Sequence, residues 1–268
     1  SNAVAIGLLS SATGIQSMAS GYNAVSAGSS SHAFTDSYAS GANSFSAAIA
    51  NNTSSYGALG NRSVAIGDRA KSAGYGGIAI GQRATASGNY SMALGAGNGV
   101  VEATRAEAIA IGTGAYSNLT GKLAFSSGTF QSNLGHAQTG IWVLRRETTD
   151  ATPNVLATTA SGGNTLNQVV LPNNSALSFH GTIVARQQAS QGTASAAWKV
   201  EGLIRREGTL AATVLVNSAI TVLDNTPNWG IALSADTTNG ALKIEVTGAA
   251  STNIRWVGTM HTSEVTYA

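Results

Sequence analysis

The chain has no cysteine, only three prolines, and charge on just 10% of its 268 residues. Without cysteine there are no disulfides, thiolate metal centres or cysteine nucleophiles. Fourteen basic and twelve acidic residues leave a formal net charge of +2, and the pI near 9.0 reflects this small surplus rather than a basic stripe. Recognition of phosphate backbones needs clustered Lys and Arg, so no nucleic-acid partner is expected. Hydrophobic residues make up 43% of the chain, whereas disordered chains combine low hydrophobicity with strong charge. No apolar run reaches the roughly 18 residues of a spanning helix, so this segment is not expected to insert into a membrane. The opening Ser1-Asn2-Ala3 reads as the remnant of a cleaved tag.

What the chain has instead is a glycine that returns every seventh residue, at Gly7, Gly14, Gly21 and Gly28, and again from Gly60 through Gly67, Gly74, Gly81 and Gly88 to Gly95. Alternate members close short apolar phrases such as Val4-Ala5-Ile6-Gly7, Val64-Ala65-Ile66-Gly67, Ile78-Ala79-Ile80-Gly81, Met92-Ala93-Leu94-Gly95 and Ile109-Ala110-Ile111-Gly112. A fixed period of this kind signals stacked repeats. Aligned on Ser-x-Ala-x-Gly, the copies end at Gly7, Gly21, Thr35, Ala50, Gly67, Gly81, Gly95 and Gly112, in steps of 14, 14, 15, 17, 14, 14 and 17. The weak copies are Ser31-His32-Ala33-Phe34-Thr35 and Ser46-Ala47-Ala48-Ile49-Ala50. The longer steps predict loops that bulge outward from the stack.

The seven-residue spacing does not predict a coiled coil. Each glycine would cost a helix about 1 kcal/mol relative to alanine. The apolar residues also alternate, as strands require. Each 14-residue unit therefore predicts two short strands joined by tight turns, with glycine supplying positive φ. Such a coil has room inside only for Ala, Ser and Gly. The bulkier residues Val64, Ile66, Ile78, Ile80, Met92, Leu94, Ile109 and Ile111 then form an outer apolar stripe that needs cover. They are the candidate interface for self-association, with three-fold closure the simplest fit to a rod.

Ser63-Val64-Ala65-Ile66-Gly67-Asp68-Arg69-Ala70-Lys71-Ser72-Ala73-Gly74 and Gly77-Ile78-Ala79-Ile80-Gly81-Gln82-Arg83-Ala84-Thr85-Ala86-Ser87-Gly88 resemble the head repeat of YadA-like trimeric autotransporter adhesins. The resemblance covers about residues 4–121 and implies a left-handed parallel β-roll that assembles as a homotrimer. That family follows its head with a neck and a coiled-coil stalk; no sustained apolar heptad follows Lys122.

Residues 122–268 differ in chemistry. They hold all four tryptophans, all three prolines and nine of the fourteen basic residues. Strand-like runs separated by turn signals such as Pro172-Asn173-Asn174 and Asn239-Gly240 predict an antiparallel, sandwich-like β domain. Phrases including Gln168-Val169-Val170-Leu171-Pro172-Asn173-Asn174, Ala197-Trp198-Lys199-Val200-Glu201-Gly202 and Ser251-Thr252-Asn253-Ile254-Arg255-Trp256-Val257 resemble the C-terminal domain of some bacteriophage tail-fibre proteins. That resemblance implies a trimeric virion fibre whose tip meets the host surface. The expected architecture is thus all-β, with a β-roll over 4–121 and an antiparallel domain over 122–268.

Catalytic signatures are missing. His32, His136, His180 and His261 are far apart in sequence and lack metal-ligand spacing. No nucleophile elbow or Walker-type loop occurs. Gly95-Ala96-Gly97-Asn98-Gly99 follows a strand without a helix after it, which predicts a loop insertion rather than a phosphate site. Asp150, Glu201, Glu207, Asp224, Asp236, Glu245 and Glu264 are scattered singly and predict solvated surface charges, whereas glycan hydrolysis needs two carboxylates about 5–10 Å apart. No enzyme activity, metal or cofactor is expected. Arg145-Arg146-Glu147 and Arg205-Arg206-Glu207 repeat one phrase. Arg145, Arg146, Arg205 and Arg206 are therefore candidate contacts for an acidic surface glycan, against the plainer reading of charged strand ends. The tryptophans predict core. The expected function is a non-enzymatic tail fibre binding a glycan or protein receptor on the host surface; the alternatives are a bacterial surface adhesin and a glycan-degrading tail spike.

Overall fold

The computed structural model describes residues 2–50, 55–95, 99–131 and 133–267. The chain divides into two units, Ser1–Asn118 with Leu123–Gly135, and Leu119–Lys122 with His136–Ala268. Both are all-β. Among the described residues the sole helical element is a 3-10 turn at Leu210–Ala212.

The first unit is a parallel β-solenoid. Nine three-residue strands pair in succession: β1 (Val4–Ile6), β3 (Met18–Ser20), β5 (His32–Phe34), β7 (Phe45–Ala47), β9 (Val64–Ile66), β11 (Ile78–Ile80), β13 (Met92–Leu94), β15 (Ile109–Ile111) and β17 (Leu123–Phe125). Eight alternating strands form a second parallel sheet: β2 (Ser11–Ala12), β4 (Val25–Ser26), β6 (Tyr38–Ala39), β8 (Gly57–Ala58), β10 (Lys71–Ser72), β12 (Ala84–Ala86), β14 (Val101–Ala103) and β16 (Tyr116–Ser117). The middle residue of each strand in the first sheet points inward. Ala19, Ala33, Ala65, Ala79, Ala93, Ala110 and Ala124 make a fully buried column, faced by Ala39, Ala58, Ala86 and Ala103. Successive side chains of a strand point to opposite faces, so the large residues flanking each alanine point outward.

In four repeat phrases the opening Ser closes the turn before it. Ser17, Ser31, Ser44 and Ser91 donate their hydroxyls to the carbonyls of Gly14, Gly28, Gly41 and Gly88 at 2.6–2.8 Å.

The glycines have two separate causes, where the sequence suggested one. Gly67 has φ +116°, a conformation that side chains rarely adopt. Gly74 has no such φ; there a Cβ would overlap the carbonyl of Gly88 in the next coil. Other positive-φ positions carry side chains. Asn23, Asn43, Arg62, Arg69, Arg83, Tyr90 and Glu107 sit two places beyond the turn's first residue with φ between 51° and 59°.

The register corrects one repeat. Phe45-Ser46-Ala47 pairs with His32-Ala33-Phe34 and with Val64-Ala65-Ile66. The weak copy is therefore Ser44-Phe45-Ser46-Ala47-Ala48, two residues earlier than the alignment ending at Ala50. The expected outward loops fall on residues 51–54 and 96–98, outside the described residues. Ile49 and Val101 beside them are buried in the coil interior.

The end of the solenoid also differs from a cut near Gly121. Leu123-Ala124-Phe125 continues the ladder in register with Ile109-Ala110-Ile111. The preceding Leu119–Lys122 belongs to the second unit, where Leu119 joins the core and Thr120 donates its N–H to Leu166.

The second unit packs two antiparallel sheets. The larger has the order β18 (Ala137–Thr148), β26 (Ile254–Thr266), β21 (Ser175–Gln187), β22 (Ser195–Arg206) and β23 (Thr213–Asp224). In the smaller, β24 (Gly230–Asp236) pairs along β25 (Ala241–Thr247), while β19 (Asn154–Val155) and β20 (Val169–Val170) pair with the two ends of β25. Alternate residues of the long strands enter the shared core with Leu242, Ile244 and Val246 of β25. All four tryptophans are there. Trp198 stacks on Trp256 at 5.7 Å, and the indole N–H of Trp256 donates to Thr148 at 2.9 Å.

Candidate functional site

The eight candidate interface residues fall into two straight columns on the outer face of the solenoid's first sheet. Val64, Ile78, Met92 and Ile109 are register partners, as are Ile66, Ile80, Leu94 and Ile111. Neighbours in each column are about 4.8 Å apart. Most of these side chains are half-buried by the rungs above and below, and Ile80 is 40% exposed. Leu123 and Phe125 extend the columns by one further rung. Their phrase lacks the closing glycine, but its large-Ala-large alternation was a usable signal. Toward the N-terminus the columns are less uniform, with His32 and Ser20 among Met18, Phe34 and Phe45.

The opposite outer face is mixed. Lys71, Thr85, Glu102 and Tyr116 occupy successive rungs there. Burial raises the Glu102 carboxyl above its ordinary value, and Lys71 partly counters this. One face of the solenoid is thus suited to apolar association and the other to water. At a corner between strands, Arg62 lies 5.3 Å over the ring of Tyr75, which meets Tyr90 edge-on at 5.5 Å.

The four candidate arginines are not brought together. Arg145 is a register partner of Val257, and Arg205 pairs with Ala176, itself a partner of Val265. Val257 and Val265 are eight residues apart on β26, or about 26 Å along the strand. Arg146 and Arg206 serve as struts. Arg146 donates to Asn154 Oδ1 at 3.0 and 2.6 Å and to the Ala160 carbonyl at 2.9 Å. Arg206 donates to the Leu171 carbonyl at 2.6 Å. Arg145 is exposed, and exposed Arg205 pairs with Glu207 at 3.1 Å. The repeated phrase therefore builds two separate strand ends.

Glu264 departs from the expectation of solvated carboxylates. It is buried and accepts from Lys122, Gln138 and Thr262, each at 2.7 Å, while the Lys122 ammonium lies 4.9 Å over the Trp142 ring. Asp236 is also engaged. Burial would raise its carboxyl, but hydrogen bonds from Asn239, Gln168 and Thr238 outweigh this and hold it below the ordinary value. Fold topology also makes a contact that sequence spacing could not show. His180 and His261 are register partners on adjacent strands, and their rings stack at 5.3 Å. Among the described residues, no group of three or more His, Cys, Asp and Glu is placed to hold a metal ion.

Comparison with protein-family models finds the YadA head domain repeat (2 copies) at residues 1–24, 58–84 and 72–98. The chain therefore carries YadA-type head repeats. Comparison with curated protein sequences finds no match. Among solved structures, the chain is similar to the tailspike protein gp49 of Acinetobacter baumannii bacteriophage Fri1, a capsular polysaccharide depolymerase, with 9% identity and a TM-score of 0.28. That match covers 92% of this chain and 39% of the tailspike chain, so this chain spans about two fifths of its length. A likeness at that score carries no functional argument.

Proposed function

We propose that the chain is a non-enzymatic segment of an extracellular homotrimeric fibre, of the phage or prophage tail-fibre kind. Its solenoid faces self-associate, and its second unit attaches to a cell-surface glycan or protein. The observation that carries this reading is the pair of in-register apolar columns on one outer face of a coil whose interior is mostly alanine. A stripe of that kind in water marks an interface. A head-to-tail contact that closes on itself gives a ring of identical subunits, and three copies enclose the narrowest axis. The head repeats at 1–24, 58–84 and 72–98 support the assembly. They equally favour a second reading, a bacterial surface adhesin.

The test of assembly is solution mass. The wild-type chain is expected at three times its 26.9 kDa. Ile66→Asp with Ile80→Asp places two charges per copy in the columns and is expected to give monomers. A wild-type monomer at micromolar concentration, or trimers unaffected by both substitutions, would overturn the reading. Incubation with capsular or lipopolysaccharide polymers is expected to leave their viscosity unchanged; a fall would replace the binding role with a depolymerase.

A further inference from the structure

Strands β18, β26 and β21 end together in a cleft of about 410 Å³ lined by Glu147, Arg186, Gln187, Gln188, Asn253 and Arg255. We propose that this cleft binds a carboxylate-bearing saccharide, with Arg186 holding the carboxylate. The inference rests on the surface-attachment reading above and names the site and ligand class for it.

Glu147, Arg255 and Arg186 form one rung across the three strands. Arg255 donates to Glu147 at 3.2 Å, which neutralises that pair. Arg186 donates one N–H to the Ala194 carbonyl at 3.1 Å. Among the described residues no carboxylate lies within ion-pair reach of Arg186. A guanidinium has five N–H donors in a planar fork, so the cleft retains one uncompensated positive charge and a set of unused donors. A carboxylate fits that fork in bidentate fashion.

The remaining walls are the amides of Gln187, Gln188 and Asn253, with Ala189 beside them. They are held in place before any ligand arrives: Asn253 donates its side-chain N–H to Gln188 Oε1 and its backbone N–H to Gln191 Oε1, both at 2.7 Å. Gln187 donates to the Gln191 carbonyl at 2.9 Å. Pre-ordering of this kind lowers the entropic cost of binding. The lining has no aromatic or large aliphatic side chain, and its two arginines are exposed, which disfavours a protein hot spot, since those centre on fully desolvated anchors. It carries too little charge for a nucleic-acid backbone. Donor and acceptor amides beside a free guanidinium match vicinal hydroxyls next to a carboxylate. The volume lies within the range of about 300–1,000 Å³ usual for small-ligand sites.

The test uses the full chain, fluorescently labelled, on immobilised polygalacturonate, hyaluronate, polysialate and dextran. Binding to a carboxylated polymer and not to dextran is expected, with at least a tenfold loss in Arg186→Gln and a smaller loss in Arg186→Lys. Unchanged tryptophan fluorescence verifies that both variants are folded. Failure on every carboxylated polymer, binding to dextran alone, or equal binding by Arg186→Gln overturns the assignment. Whole-cell staining separates the two readings. Cells stained equally by wild type and Arg186→Gln leave the attachment role standing and refute the cleft. Polymer binding that depends on Arg186 but stains no cells supports the cleft and refutes attachment. Acapsular and deep-rough cells stained side by side distinguish capsule from lipopolysaccharide as the source of the ligand.

Discussion

Replacing Lys122 by Met removes a buried ammonium while keeping an unbranched apolar stem beside Trp142. Lys122 and Glu264 are 4% and 2% exposed, so the carboxylate left behind cannot turn to water. Breaking a buried ion pair from one side costs about 3–5 kcal/mol. Glu264 still accepts from Gln138 and Thr262, which favours the lower end of that range. Lys122→Met is therefore expected to destabilise by about 3 kcal/mol. The double variant Lys122→Met/Glu264→Gln, which removes the stranded charge as well, should recover most of that loss. All four tryptophans lie within residues 142–256, so tryptophan fluorescence during urea unfolding reports this unit alone. At a slope of about 2 kcal/mol per molar urea, the single variant should lower the midpoint by about 1.5 M at pH 7. A shift below about 0.3 M, or an equal shift in the double variant, would refute the argument that a buried charge is stranded.

Glu107 is exposed, has φ +59°, and keeps its place in the stack through a backbone N–H to the Asn89 carbonyl. The left-handed conformation costs a side-chain-bearing residue about 1–2 kcal/mol, and glycine gives back about 0.5–1 in chain entropy; Glu107→Gly should thus raise the solenoid's stability by roughly 0.5–1 kcal/mol, and a lower melting temperature by circular dichroism would contradict this. The depressed carboxyl of Asp236 contributes stability that is present above its unfolded value near 4 and is lost as pH falls through its lower folded value. The tryptophan-monitored melting temperature should accordingly fall below about pH 4, less steeply in Asp236→Asn; parallel curves for the two proteins would exclude Asp236 as a source of acid sensitivity.

The solenoid was legible in the sequence because its determinants are local. A coil lined mostly by alanine, with Ile49 and Val101 as the large exceptions, imposes large-Ala-large on most strands of the first sheet, and that pattern survives in Val64-Ala65-Ile66 and Leu123-Ala124-Phe125 alike. Alignment on the closing glycine failed where glycine is replaced. At Phe45-Ser46-Ala47 the better marker was Ser44, three residues after Gly41, since that hydroxyl closes the turn on the glycine carbonyl. At Lys122 the same position holds a residue whose side chain is bound to Glu264 of the second unit, so the ladder continues although the phrase does not. Contacts in the second unit are set by strand pairing over long separations. Nothing local marks Arg186 and Arg255 as neighbours of Glu147, or His180 as the partner of His261. The repeated Arg-Arg-Glu phrase misled for the same reason. Likeness in sequence says nothing of register, and register puts Arg145 and Arg205 about 26 Å apart along the sheet.

The same narrow interior decides where the solenoid's stability must come from. Apart from Ile49 and Val101, the rungs bury small methyl groups, while most side chains able to contribute about 1.5–3 kcal/mol each on full burial, Val64, Ile66, Ile78, Ile80 and their column partners among them, lie on the outside. Stacking covers only part of each; the rest is released from water only when another surface lies against the columns. The second sheet offers no equivalent, because Lys71, Thr85 and Glu102 occupy its outer rungs. Small side chains inside, bulk on one face and polarity on the other leave the apolar columns with burial that only another surface can complete. Charge placed in the columns at Ile66 and Ile80 should therefore lower the solenoid's melting temperature along with its assembled mass, because both depend on the same covered face.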